Sequence, residues 1–166
     1  IKRNGQFTVN IALSYKNRVV MGVIYVPVTG ELYYAAQGHG SFMEVNHQPV
    51  RISVSSEKKD KKDLNVVMSN SHGAAEMEDL ISKHGLRNYV KVGSSLKGCM
   101  IARGDADVYY RFGPTMEWDT AAMQCIVEEA GGLMRQMDDS EMLYNRTDSL
   151  NAKGFYILNS IENKLR

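Results

Sequence analysis

Asp119 stands directly after Trp118 in the run EWDTAAMQCIVEEAGG, residues 117–132, which is dense in small residues and stops at Gly131-Gly132. A carboxylate in the first turn of a helix meets free N–H groups and the positive end of the dipole, and can serve there as a cap. The same carboxylate can hold a metal ion or orient a polar substrate, and spacing alone leaves cap and ligand both open. Trp118 is placed to shield such a site from water. Gly113 and Pro114 in FGPTMEWD give the helix a rigid approach. Ala121, Ala122, Cys125, Ile126 and Ala130 fall on one helical face, predicted to be buried, and its alanines allow close packing.

Three further segments carry groups suited to an anion. In SNSH (69–72) a buried strand ends in two hydroxyls, an amide and an imidazole; Ser69 and His72 could reach a phosphate, and Ser71 or His72 could equally cap the helix that follows. In KVGSSLKGC (91–99) a strand, a glycine, two serines and a helix start make an anion-binding geometry, which also serves as a plain serine cap. Lys97 lies in the first turn of that helix, an unfavourable place for a cation unless an anion is bound nearby. Arg111, in the aromatic and β-branched run DVYYRF, is expected to be partly buried and to need a partner: Asp105, Asp107, Glu117 or a phosphate. No GxxxxGK loop, Gly-x-Ser-x-Gly elbow or Cys-x-x-Cys is present, and His39, His47 and His84 lack metal-ligand spacing and read as surface residues.

The elements that must position these groups fall into two patterns. Residues 6–15 and 18–26 read as strands joined by a tight turn at Lys16-Asn17, followed by strands at 31–38, 41–45 and 49–54. SSEKKDKKD (55–63) reads as a solvated loop. Beyond it strands at 64–69, 88–93, 106–112, 131–137 and 154–159 alternate with helices at 74–85, 95–104 and 117–130. Strands separated by helices predict a layered α/β architecture. A chain of 166 residues suffices for one domain with a real core, and a net charge of +1 argues against a nucleic-acid polymer or an acidic membrane as partner. No apolar run is long enough to span a bilayer. Cys99 and Cys125 in apolar contexts read as reduced core thiols, which suits a cytoplasmic protein.

WDTAAMQCIVEEAGG resembles the C-terminal signature of the inositol monophosphatase family of metal-dependent, often lithium-sensitive phosphatases. IKRNGQFTVNIAL, SNSH, VGSSLKGC and YYRFGPTMEWDTAA are similar to its 3′(2′),5′-bisphosphate nucleotidase branch of the bacterial CysQ type. The resemblance implies a five-layer αβαβα fold, of which residues 1–63 would contribute a strand meander and linker and 64–166 a C-terminal α/β subdomain. It implies magnesium-dependent hydrolysis of adenosine 3′,5′-bisphosphate, and of 3′-phosphoadenylyl sulfate, in the cytoplasm or peripherally at the bacterial inner membrane. It further implies that Asp119 ligates a catalytic metal near the substrate, and that Ser69, His72, Ser94, Lys97 and Arg111 bind the nucleotide and its phosphates.

One departure is large. The family's Asp-Pro-(Leu/Ile)-Asp-Gly-(Thr/Ser) motif and upstream glutamate, which supply its other metal ligands, do not occur here. The chain is therefore expected to be the C-terminal half of such an enzyme, inactive alone, and to self-associate through an apolar face that the other half would cover. An inositol monophosphatase or broad sugar phosphatase, a non-catalytic nucleotide-binding fragment, and a structural fragment without nucleotide affinity are the competing readings.

Overall fold

A computed structural model describes residues 5–69 and 74–166. Its first part is an antiparallel sheet of five strands in chain order: β1 (Val9–Tyr15), β2 (Arg18–Val26), β3 (Glu31–Ala36), β4 (Gly40–Val45) and β5 (Gln48–Ile52). The β1–β2 turn is Lys16-Asn17, with φ of 49° and 62°, and the β4–β5 turn is Asn46-His47, with φ of 52° and 60°. Two successive positive φ values match the right-handed twist of a hairpin, and asparagine tolerates them best among residues with a side chain.

The second part alternates: β6 (Asn65–Met68), α1 (Ala74–His84), β7 (Asn88–Lys91), α2 (Leu96–Ala102), β8 (Val108–Arg111), β9 (Thr115–Met116), α3 (Glu117–Glu129), β10 (Leu133–Gln136), β11 (Leu150–Asn151) and β12 (Phe155–Leu158). Its five-stranded sheet has the order β10-β12-β8-β6-β7. β6 runs parallel to β7 and β8, while β12 is antiparallel to β8 and β10. The pair β9–β11, which sequence patterning did not reveal, forms a separate two-stranded ribbon.

Two clusters define the layers. In one, Ile24, Tyr33 and Ala35 of the first sheet meet Ile101 of α2 and Ile126 of α3, which in turn pack on Tyr109 and Ile157 of the second sheet. In the other, Val66, Val108, Tyr110 and Leu158 on the opposite face of the second sheet pack on Met77 and Leu80 of α1. The order is thus sheet, α2 with α3, sheet, α1.

Helix α3 is buried nearly all round, from Thr120 through Val127, rather than along the single predicted face, because it is clamped between two sheets. A Cβ at Gly22 of β2 would lie 2.5 Å from the Ala122 carbonyl oxygen, so this glycine sets how closely α3 sits on the first sheet.

Two sequence expectations need correction here. The loop at 55–63 is mostly exposed, but Lys59 is anchored: its Nζ lies 3.0 Å from Oδ2 of buried Asp107. That carboxylate also accepts from the Asn65 N–H at 2.7 Å and from Asn159 Nδ2 at 3.0 Å. His39 and His47 are exposed, whereas His84 is half-buried with Nε2 2.8 Å from the Leu165 carbonyl, because the C-terminal segment packs on α1. Cys99 and Cys125 are both buried and unpaired; burial pushes the Cys125 thiol up to about 12.

The outer face of the first sheet is apolar and open. Val9, Ile11, Leu13 and Tyr15 of β1 and Met21 and Tyr25 of β2 are 40–65% exposed. Register aligns them in rows, Ile11 beside Val23, Val23 beside Tyr34 and Tyr34 beside Phe42, with the last two rings stacked.

Candidate anion-binding site

A cavity of about 250 Å³ lies where β1, the loop before α2, the end of β8 and the first turn of α3 converge. Ser69, Ser94, Lys97, Arg111 and Asp119 all line it. These are five of the six residues singled out from the sequence; the sixth, His72, lies outside the described residues, as do the alternative caps at Ser71 and His72.

Lys97 is 6% exposed. Its Nζ donates to the carbonyls of Ser94 at 2.7 Å and Val92 at 3.2 Å, and sits 5.2 Å from the centre of the Tyr109 ring. No carboxylate pairs with it among the described residues. Burial, and then the charge of Arg111, bring the amine down from 10.5 to about 8. Ser94, whose carbonyl takes the shorter of these bonds, holds a left-handed φ of 52°, and its Oγ lies 2.5 Å from Thr8 Oγ1. Ser95 does not cap α2 with its side chain. It bridges instead, accepting from Asn10 Nδ2 at 3.0 Å and donating to the Asp119 carbonyl at 3.4 Å.

Arg111 resolves the choice left open by the sequence. All three candidate carboxylates are engaged elsewhere: Asp105 with Arg103, Asp107 with Lys59, and Glu117 with Arg146. Arg111 Nη1 reaches Ser69 Oγ at 3.4 Å and Nη2 the Pro114 carbonyl at 3.1 Å, while its buried Nε has no partner. Two cations therefore face one cavity that Asp119 also lines, and neither is ion-paired with a carboxylate among the described residues. That arrangement is stable only with an anion bound or with water at the mouth.

Asp119 is an exposed side chain at the third position of α3, and its Oδ2 accepts from the Met116 N–H at 2.9 Å. It does act as a cap, reaching back over the first turn, and still faces the cavity. Trp118 does not shield it. That ring is 62% exposed and lines a separate cavity of about 390 Å³ with Asn10, Glu117 and Tyr144, because successive helical residues point about 100° apart.

The profile of the inositol monophosphatase family matches residues 1–164. The chain belongs to the inositol monophosphatase family. It is 39% identical over 157 residues to the 3′(2′),5′-bisphosphate nucleotidase CysQ of Salmonella typhimurium and 38% identical to that of Escherichia coli, covering 95% of this chain and 62% of each relative. A solved CysQ from Bacteroides thetaiotaomicron superposes with a TM-score of 0.80 at 39% identity, over 95% of this chain and 64% of that one. An inositol monophosphatase from Thermotoga maritima superposes with a TM-score of 0.74 at 24% identity, over 93% of this chain and 57% of that one, a likeness of fold. The chain thus spans a little under two thirds of the length of these nucleotidases.

The inositol monophosphatase family implies a metal. Among the described residues no three His, Cys, Asp or Glu side chains converge on one point. Magnesium demands six oxygens in near-octahedral geometry and sheds its water reluctantly. One exposed carboxylate, already accepting a backbone N–H, does not fit that demand, so the described residues do not by themselves make a magnesium site.

Sequence patterning passed over Asn10, Thr115 and Thr120, which also line the cavity. Asn10 did carry a signal: in VNIALSY the polar Asn10 and Ser14 share the inward face, while the apolar Val9, Ile11 and Leu13 point outward, the reverse of an ordinary two-faced strand.

Lys97 gives the site a pH signature. A lysine lowered from 10.5 to about 8 is charged in the folded chain only below about pH 8. Affinity for an anion is therefore full below that pH and falls as the pH rises through it, by at most about tenfold per unit. The burial penalty runs the other way: it destabilises the fold below pH 8 and lifts between about 8 and 10.5. Calorimetric titration with AMP is expected to show the affinity falling above pH 8, and Lys97→Met to give weaker, pH-independent binding. An unchanged pH profile in Lys97→Met would count against this role.

Proposed function

We propose that this chain forms part of a magnesium-dependent phosphatase that hydrolyses adenosine 3′,5′-bisphosphate, and 3′-phosphoadenylyl sulfate, releasing phosphate from the 3′ position. The carrying observation is the pair of cations, Lys97 and Arg111, facing one cavity without a carboxylate partner among the described residues. A substrate with two phosphates meets two cations better than a single monoester does. The likeness to curated bisphosphate nucleotidases at 38–39% identity supports the same substrate class.

In this reading Arg111 and Lys97 hold phosphate, Ser69, Ser94 and His72 add hydrogen bonds, and Asp119 is one metal ligand among several. The remaining ligands would come from outside these 166 residues. Residues 1–63 and 64–166 act as two parts of one enzyme, the first supplying the meander and the second most of the phosphate contacts. The unpaired thiols of Cys99 and Cys125 support a cytoplasmic setting.

The experiment is calorimetry of the 166-residue chain with AMP and with inositol 1-phosphate, alongside an assay of phosphate release from adenosine 3′,5′-bisphosphate in magnesium. AMP is expected to bind, more tightly than inositol 1-phosphate, with no phosphate released. Absence of AMP binding would overturn the nucleotide reading, and preference for inositol 1-phosphate would transfer the chain to the inositol phosphatases. Magnesium-dependent release by this chain would overturn the expectation that it is inactive alone.

The open apolar face of the first sheet accompanies this reading. We infer that isolated chains associate through it, since monomeric proteins rarely expose so continuous an apolar patch. Light scattering is expected to show dimers or larger species, and a clean monomer at high concentration would refute the inference.

A further inference from the structure

Ser94 holds its left-handed φ of 52° in the loop before α2, a conformation that a residue with a Cβ keeps only where its surroundings enforce it. The Ser94 carbonyl takes the shorter of the two hydrogen bonds from the Lys97 amine, so this strained residue sets where the amine lies. The contacts that enforce it come from a distant part of the chain, the residues leading into β1.

Gln6, Thr8 and Asn10 stand at alternate positions, and each meets one of three successive loop residues. Gln6 Oε1 accepts from the Gly93 N–H at 2.9 Å, Thr8 Oγ1 lies 2.5 Å from Ser94 Oγ, and Asn10 Nδ2 donates to Ser95 Oγ at 3.0 Å. A Cβ at Gly93 would lie 2.9 Å from the Gln6 carbonyl oxygen, so the two backbones are in close contact there. Thr8 is the rung that acts on the strained residue itself. It does not line the cavity.

The Lys97 amine depends on this support. The carbonyls of Val92 and Ser94 are its hydrogen-bond acceptors among the described residues. From β8 the Tyr109 ring lies beside it and the Arg111 guanidinium repels it, and from α3 Asp119 lines the same cavity without pairing with it. An ammonium buried beside a second cation is held by few contacts, so each of the two carbonyls counts.

We propose that Thr8 is a positioning residue for Lys97: by bonding Ser94 it holds in place the loop carbonyl that fixes the amine beside the cavity. The proposal rests on the reading of this cavity as the nucleotide phosphate site.

The test compares the parent chain with Thr8→Val, which removes the hydroxyl at nearly constant volume, and with Thr8→Ser, which keeps it. Thr8→Val is also combined with Lys97→Met. AMP affinity is read by calorimetry, and the titration of the Lys97 amine is read by NMR without ligand. Thr8→Val is expected to bind AMP about tenfold more weakly, the value of one hydrogen bond to a charged group, and Thr8→Ser to bind like the parent. In the Lys97→Met chain the same Thr8→Val change is expected to cost nothing further, because it acts through the amine. The amine is expected to titrate lower in Thr8→Val than in the parent, since an ammonium that loses a carbonyl acceptor is less well held in its charged form, and to return to the parent value in Thr8→Ser.

A merely structural role would weaken AMP binding by the same factor with and without Lys97 and leave the amine titrating as in the parent; either result overturns the proposal. Should Thr8→Val not fold, Thr8→Ala, which lacks the hydroxyl and adds no bulk, is held to the same outcomes. If the parent binds no AMP, the nucleotide reading falls, while the titration still decides whether Thr8 holds the amine. If the parent binds AMP and Thr8→Val moves neither readout, only the role of Thr8 is lost.

Discussion

An Arg111→Gln chain is expected to bind AMP about a hundredfold more weakly than the parent while melting within about 2 °C of it. Hydrogen bonds to a charged group contribute about 1.5–3 kcal/mol each, and about 1.4 kcal/mol is a factor of ten, so losing one or two such bonds to phosphate accounts for the affinity. Stability should hardly move because removing Arg111 strands no buried carboxylate: Asp105, Asp107 and Glu117 keep their own partners. The Ser69 hydroxyl, the Pro114 carbonyl and the Tyr109 hydroxyl lose a contact, and the bond to Pro114 is an exposed one. Calorimetry with AMP and a thermal melt decide it. A loss of less than threefold would remove Arg111 from the site, and a melt lowered by many degrees would make it a structural residue instead.

A large stability effect is expected at Gly22, an uncharged position. A Cβ there would stand 2.5 Å from the oxygen and 2.9 Å from the Cα of Ala122, both backbone atoms that cannot swing aside. Gly22→Val must push α3 off the first sheet, and because α3 is also pressed against the second sheet the helix has nowhere to go. Overpacking of this kind costs about 3 kcal/mol, a large fraction of a domain's total stability. Gly30 is the control. It has a φ of 73°, and a methyl group added there would meet nothing within 4 Å, so Gly30→Ala carries only the left-handed backbone penalty of about 1 kcal/mol. Urea midpoints for the two variants would compare them directly. Equal midpoints would show that α3 can retreat from β2, and would sink the account of why small residues line that contact.

Much of this molecule was legible from its residues in order. Asparagine in the turn at 16–17 and glycines at 38 and 40 mark where the chain reverses, because few residues accept positive φ. Runs of β-branched and apolar residues placed the strands of both sheets, and the small residues of 121–130 announced a helix packed at close range. Residue type and spacing also singled out Ser69, Ser94, Lys97, Arg111 and Asp119, which the fold gathers on one cavity.

The rest was decided in three dimensions. Arg111 had three carboxylates within a few positions of it in the chain, and none is its partner; they go to Lys59, Arg103 and Arg146, two of them more than twenty-five residues away from the acid they meet. Trp118 adjoins Asp119 in the chain yet faces another cavity, since one helical step rotates a side chain by about 100°. Asn10 precedes Ser95 by 85 residues and Asp119 by more, and no local pattern joins them. Propensity and periodicity act between neighbours along the chain, whereas pairing energy falls off over a few ångströms of space. The sequence by itself therefore determined which elements form and which side chains could take an anion. Only the tertiary structure decided which cations remain without a protein partner, and that is what makes the cavity a site.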